Sequence, residues 1–132
     1  MIVLSNNASQ TLAAGQAMTF NTTVLKYGCN ECHRANTGSV KLTRNGVYKV
    51  EFSANVAGAA AALQLNIALG DSPLPETTMI STPASADVFN NVATATAVAK
   101  CCCDYDRITV VNTGTTEVIV GPNPSLVINK IS

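Results

Sequence analysis

Five cysteines carry the most reactive chemistry in this sequence. Two of them form a C-x-x-C pair that is followed at once by the sole histidine, and three stand side by side about seventy residues later. Thiolates and imidazoles hold zinc, form disulfides and, in one pattern, attach haem. The candidate site residues are therefore Cys29, Cys32, His33, Cys101 and Cys103.

Four interpretations of these cysteines stay open. A disulfide could join the two segments, although five is an odd number and adjacent cysteines do not bridge each other easily. The thiols could be free and partly buried, which is common for cysteine. Cys29 and Cys32 could hold a tetrahedral zinc with one or two of the later cysteines, or with His33 as a substitute, although the second half is a run and not another C-x-x-C. Lastly, C-x-x-C-H is formally the c-type haem attachment pattern.

Catalysis finds little support in the sequence. His33 is the one histidine, and Asp104 and Asp106 flank Tyr105 as exposed acids in a turn, which are usually only solvated. No glycine-rich phosphate loop or nucleophile elbow is present. We predict that the protein is not an enzyme, that it has no catalytic or cofactor-binding residues, and that zinc is the one cofactor the spacing leaves open.

The composition limits the class of protein. A chain of 132 residues fits one domain with one core. Charged residues make up 12% and the formal net charge is zero, so neither nucleic acid nor an anionic membrane is an expected partner. Sparse charge suits a subunit that buries much of its surface, and the alternative is a monomer kept soluble by Asn, Thr and Ser. The first residues lack the basic segment and apolar run of a signal peptide, so synthesis in the cytoplasm is expected.

The clearest structural element is the stretch 46–56, which reads GVYKVEFSANV. Apolar residues at every second position alternate with polar ones, which predicts a long strand with one buried face. The buried side chains are expected to be Tyr48, Val50, Phe52, Ala54 and Val56. Asn45-Gly46 before it is a strong turn signal, because both residues tolerate positive φ.

The remaining elements are strands of similar spacing with turn signals between them. Strands are predicted at 2–4, weakly within 16–25, and at 40–43, 63–69, 74–80, 88–99, 107–111, 117–120 and 126–131, with loops at 6–14 and 27–39. One face of the 88–99 strand is mostly alanine, so it can lie very close to another layer or another subunit. No stretch makes a convincing amphipathic helix. This pattern is typical of an all-β sandwich or barrel.

GVYKVEFSANV resembles the Gly-x-Tyr strand of the C1q and tumour-necrosis-factor superfamily, with Gly46 and Tyr48 as the matching residues. ITVVNTG, VIV and LVINKI look like the last strands of the same fold. The resemblance is closest to bacterial and bacteriophage members. It implies an all-β, two-sheet antiparallel jelly-roll sandwich. Residues 1–132 would form one domain, with 40–131 as the best-matching core and 1–39 supplying the N-terminal strands and the cysteine-containing loop.

The resemblance also implies a function. It suggests a homotrimeric structural virion protein, a capsid decoration or a fibre or appendage subunit of a bacteriophage particle, located on the virion or an extracellular surface. The partners would be other virion or surface structural proteins. The alternative is a receptor- or glycan-binding module on a phage or bacterial surface, with a host-surface glycan as partner and Tyr27 and Tyr105 as the aromatic candidates. The chain departs from the family in lacking a collagen-like stalk and in having only 5% aromatic residues.

A jelly roll brings loops that are distant in sequence to one end of the sandwich. If this resemblance holds, the segment from Cys29 to His33 and the run that begins at Cys101 should lie close together. The disulfide and the zinc interpretations both need this proximity, whereas free thiols do not.

Overall fold

The computed structural model describes residues 1–58, 61–85, 88–101 and 107–132. Within these ranges the chain forms strands and one short 3₁₀ turn, and none of the described residues is α-helical. The strands are β1 (Ile2–Ser5), β2 (Gln10–Leu12), β3 (Thr22–Lys26), β4 (Glu31–His33), β5 (Val40–Leu42), β6 (Gly46–Gly58), β7 (Leu63–Leu69), β8 (Ser72–Pro73), β9 (Met79–Ser81), β10 (Asn90–Lys100), β11 (Arg107–Asn112), β12 (Val118–Val120) and β13 (Ser125–Lys130).

The strands pair into two antiparallel sheets. The first sheet has the order β2-β12-β6-β13-β1-β3, and β10 also pairs with β6. The second sheet has the order β4-β5-β11-β7-β8, and β9 also pairs with β7. The fold is therefore the predicted all-β, two-sheet antiparallel jelly-roll sandwich.

Strand β6 is the centre of the first sheet. It pairs with β10 along 46–56 and with β13 and β12 along 48–53 and 56–58. Its alternation is confirmed, because every predicted inward side chain is buried: Tyr48, Val50, Phe52, Ala54 and Val56. A strand with partners on both sides and one buried face has its register fixed, since a slip of one residue would expose all five.

The core lies between the two sheets. The first sheet contributes Phe52 and Leu126, and the second contributes Ile67 and Val110. Met18 and Phe20 are also fully buried, although no regular strand includes them. The chain from 16 to 21 bridges to β11 and to the β4–β5 connection through isolated pairs, so these two side chains close one edge of the core.

Several sequence predictions are wrong in detail. The predicted loop 6–14 contains β2, and the predicted loop 27–39 contains β4. Both strands have three residues. They form because a partner strand offers free backbone N–H and C=O groups, and a stretch this short has no periodicity from which a strand could be predicted. The weak strand at 16–25 is regular only in β3.

The predicted strand 74–80 pairs back only in its second half, because its first half is the 3₁₀ turn Pro75–Thr77. Pro75 fixes φ for a turn and has no N–H for a ladder, so only β9 pairs with β7 here. The hydroxyl of Thr77 accepts a hydrogen bond from the Ile67 amide at 2.9 Å, which attaches this turn to β7.

The turn before β6 depends on glycine. Gly46 has φ of +149°, a value that other residues rarely adopt. A Cβ at this position would also collide with the backbone oxygen of Ser132 and would lie 2.6 Å from Cε of Lys130. The start of β6 and the residues after β13 therefore pack without space for a side chain.

Candidate functional site: the cysteine end and the outer faces of the two sheets

Strand β4 carries the C-x-x-C-H segment at the edge of the second sheet. Its alternation turns Glu31 into the interior and Cys32 outward, and leaves His33 half-buried. Cys29 precedes the strand, and its carbonyl accepts a hydrogen bond from the Thr43 hydroxyl after β5. Cys29 and Cys32 are both exposed free thiols.

His33 has a structural position. Its Nδ1 lies 3.2 Å from the Ser39 carbonyl oxygen and its Nε2 lies 3.2 Å from that of Phe20. The ring also packs edge-on against the Phe20 ring, with centroids 6.2 Å apart. Because both ring nitrogens face main-chain oxygens, a metal could bind His33 only after one of these contacts breaks.

The later cysteines begin at the same end of the sandwich. Lys100 stands opposite Gly46 and its Nζ lies 3.4 Å from Oδ1 of Asn45, and the exposed Cys101 follows it. Beyond residues 102–106, Arg107 stands opposite Lys41 on β5. Both cysteine segments therefore lead to the end that holds the Asn45-Gly46 turn.

Cys102 and Cys103, with Asp104, Tyr105 and Asp106, lie outside the described residues. Within the described ranges, no three His, Cys, Asp or Glu side chains are grouped so that they could hold a metal ion. The disulfide and zinc interpretations of the cysteines stay predictions. In the structure, Cys29 and Cys32 are free thiols.

No local pattern in the sequence indicates that Glu31 is buried. Its side chain is fully buried, and its Oε2 accepts a hydrogen bond from the Met1 α-ammonium at 2.9 Å. The same ammonium group donates to the Tyr27 carbonyl at 2.7 Å. A buried carboxylate needs such a partner, because its desolvation is otherwise very costly.

Tyr48 joins this end of the sandwich to the core. Its ring is buried, and its hydroxyl donates to the Arg44 carbonyl at 2.7 Å and lies 3.3 Å from that of Asn30. Desolvation by burial raises the pKa of the Tyr48 hydroxyl above its ordinary value, although the hydrogen bond to Arg44 acts in the opposite direction. The Gly-x-Tyr tyrosine therefore holds the β5–β6 turn and the segment before β4 together.

The outer face of the first sheet carries mostly small side chains along β10. Beside Asn91, the exposed side chains of β10 are four alanines, which stand opposite outward positions of β6: Ala93, Ala95, Ala97 and Ala99. Beside them, Lys49 and Glu51 form an ion pair at 2.9 Å. Val127 of β13 pairs with Val3 of β1 on the same side. We call this surface the alanine face.

The outer face of the second sheet differs, because it contains a basic cleft of about 430 Å³. Arg34, Lys41 and Arg107 line it, and all three are exposed. We use the name basic cleft for the pocket between these three side chains. Sequence reasoning missed it, because its members come from three separate stretches that only the β4–β5–β11 pairing brings together.

The sequence matches no protein-family model, and no curated protein matches it. Solved structures do match the fold. The Eiger TNF structure from S. frugiperda has a TM-score of 0.73 at 15% identity, covering 99% of this chain and 91% of that chain. The globular domain of the zebrafish complement 1qA protein has a TM-score of 0.69 at 16% identity, covering 99% and 96%. PRD1 vertex protein P5 has a TM-score of 0.52 at 15% identity, covering 99% and 94%.

These similarities define the class of fold. The chain is a C1q/TNF-like jelly roll, as the Gly-x-Tyr strand and the terminal strands predicted. The matches include residues 1–39 as well as the predicted core, since they cover 99% of the chain. Among the described residues, no helix is long and apolar enough to cross a membrane.

Proposed function

We propose that this chain is a structural virion protein, a homotrimeric decoration or fibre subunit of a bacteriophage particle. The observation that carries the proposal is the alanine face. The C1q/TNF resemblance implies trimers, and a phage vertex protein, PRD1 P5, is among the structures similar to this one. Other virion structural proteins would be its neighbours on the particle surface.

The alanine face suits contact between copies of the chain. Two of its alanines, Ala93 and Ala95, with Ser53 and Ser125 on the neighbouring strands, leave a shallow depression of about 340 Å³ that spans β10, β6 and β13. Small side chains let two backbones approach closely, and they lose little conformational entropy on burial. Lys49 and Glu51, the ion pair that the described residues place on this face, neutralise each other, so this pair adds no net charge to a contact between copies.

Light scattering tests the assembly at micromolar concentration, and the expected mass is three times that of the chain. Ala95→Arg is the variant designed to disrupt the trimer. It adds bulk to the centre of the alanine face, yet its charge stands opposite Glu51 and is tolerated in a lone chain. We expect Ala95→Arg to run as a folded monomer. Ala14→Arg, at an exposed alanine in the β2–β3 connection, is the control and should stay trimeric. A parent protein that is monomeric over a wide dilution range would refute the proposal.

The second candidate function is a receptor- or glycan-binding module on a phage or bacterial surface. Tyr27 favours it, because this ring is 78% exposed, and exposed tyrosines commonly pack against sugars or partner proteins. A glycan array separates the two functions. Reproducible binding to one class of sugar would favour the module, and a Tyr27→Ala variant would identify the ring as part of the binding surface.

A further inference from the structure

The basic cleft brings together three cations, Arg34, Lys41 and Arg107, none of which has a carboxylate partner among the described residues. Among the described residues, the ion pairs are Met1–Glu31 and Lys49–Glu51, and neither reaches the cleft. The side chains of Arg34, Lys41 and Arg107 form no hydrogen bond to a described residue. The chain has only 8 basic residues against 8 acidic ones. Three of these few cations therefore converge on one depression of a protein that is neutral as a whole.

Two of the three cations face each other across a strand pair. Lys41 of β5 is the direct register partner of Arg107 of β11. Side chains in such positions have Cβ atoms about 4.5–5.5 Å apart, and like charges there destabilise the sheet. A single anion bound between them would remove the repulsion and could contact both at once. Arg adds a planar, forked donor that matches the oxygens of a carboxylate, sulfate or phosphate.

The other described residues that line the cleft are Cys32, His33, Thr37 and Ser39. Thr37 and Ser39, from the β4–β5 connection, place two hydroxyl groups at the cleft. Among the described residues, no Phe, Tyr or Trp lines the cleft, and the His33 ring packs edge-on against Phe20. Hydroxyls beside cations are the groups that pair with the hydroxyls and the anion of an acidic sugar.

We propose that the basic cleft binds the anionic group of an acidic polysaccharide, through Lys41 and Arg107 on the sheet and Arg34 at its rim. The ligand is a saccharide that carries an oxyanion, which can be a carboxylate or a sulfate. The inference rests on the second function proposed above, because it names the ligand of a glycan-binding module. The cleft faces away from the alanine face, so assembly of copies through that face leaves it open.

Fluorescence anisotropy with labelled hexasaccharides tests the proposal on the full chain. The probes are an oligogalacturonate, which carries carboxylates, a heparin hexasaccharide, which carries sulfates, and maltohexaose, which is neutral. We expect at least one acidic probe to bind, maltohexaose not to bind, and added NaCl to weaken the affinity. Binding of one acidic probe alone identifies the anion and supports the proposal.

Matched single-charge variants locate the site. Lys41→Gln and Arg107→Gln should each lower the affinity about tenfold, the loss expected for one charge-assisted hydrogen bond. Lys26→Gln and Arg44→Gln remove the same charge at exposed positions outside the cleft and should leave the affinity within about twofold. Equal losses in all four variants would mean diffuse attraction to a polyanion and would overturn the proposal.

Cys32 gives a second readout that does not depend on folding of a variant. It lies in the cleft lining opposite Lys41, whereas the exposed Cys29 does not line the cleft. A bound acidic hexasaccharide should slow alkylation of Cys32 by iodoacetamide and leave Cys29 unchanged, as peptide mapping by mass spectrometry would show. The proposal would be overturned if the hexasaccharide slowed alkylation of Cys29 and Cys32 equally. It would also be overturned if single-stranded DNA slowed alkylation of Cys32 as much as the hexasaccharide does.

Two further outcomes separate this inference from the function on which it rests. If only neutral sugars bind, the glycan-binding module stands and the anion site is wrong. If Arg107→Gln lowers the melting temperature while acidic binding is unchanged, the cations serve the fold and the site is also wrong. The mass measured by light scattering reports on the assembly proposal separately.

Discussion

Phe52→Ala tests the central claim that β6 directs one face into the core. Phe52 is 2% exposed, and its strand neighbours in register are Thr94 on one side and Leu126 on the other. Truncating a fully buried phenylalanine costs about 3–5 kcal/mol, from lost burial and from the cavity left behind. Domains of this kind have roughly 5–15 kcal/mol of total stability, so the variant loses a large fraction of it.

The assay is thermal unfolding followed by circular dichroism at one fixed protein concentration, because assembly makes the melting temperature depend on concentration. At about 4 °C per kcal/mol for a chain of this size, the melting temperature should fall by roughly 12–20 °C. Phe89→Ala is the matched control, since it removes the same ring at a position that is 50% exposed. An unchanged melting temperature for Phe52→Ala, or an equal fall for Phe89→Ala, would refute the assignment of the buried face.

Three other predictions concern the cysteine end. Tyr48→Phe should lower the free energy of unfolding at neutral pH by about 1 kcal/mol, because one hydrogen bond is lost. It should also make stability fall less at alkaline pH. The folded state raises the pKa of Tyr48 above 10.0, so the neutral hydroxyl stabilises the fold below pH 10.0, and this contribution is lost as the pH rises through the raised pKa. Gly46→Ala should destabilise more than Gly15→Ala in urea titrations, because both glycines have positive φ but only Gly15 has open space around it. Non-reducing mass spectrometry with metal analysis should find Cys29 and Cys32 as free thiols without zinc; a bridge from either to the later cysteines, or stoichiometric zinc, would contradict this.

The sequence predicted the elements whose side chains repeat with one period over many residues. Strand β6 alternates buried and outward side chains from Tyr48 to Val56, and β11 does so from Ile108 to Asn112. Such strands bury enough apolar surface to fix their own orientation. Their order along the chain was enough to indicate the jelly roll.

The short edge elements could not be predicted in the same way. Strand β4 has three residues, and its inward position holds Glu31, a charged side chain that is rarely buried. Its burial depends on the Met1 ammonium, which lies 30 residues away in sequence. The basic cleft has the same character, because Lys41 and Arg107 become neighbours only through the register of β5 with β11. Properties that arise from pairing across long stretches of chain leave no local pattern.

The pairing of β1 with β13 has a consequence for synthesis of the protein. Ile2 stands opposite Ile128, so β1 leaves the ribosome long before β13, the strand that covers its inner edge. Likewise β6 waits for β10, β12 and β13, all of which are made after it. Non-local sheets of this kind fold slowly and keep strand edges exposed while they wait. The nascent chain is therefore most prone to aggregate after β6 has emerged and before Lys130 has, which makes that interval the one in which a chaperone would act.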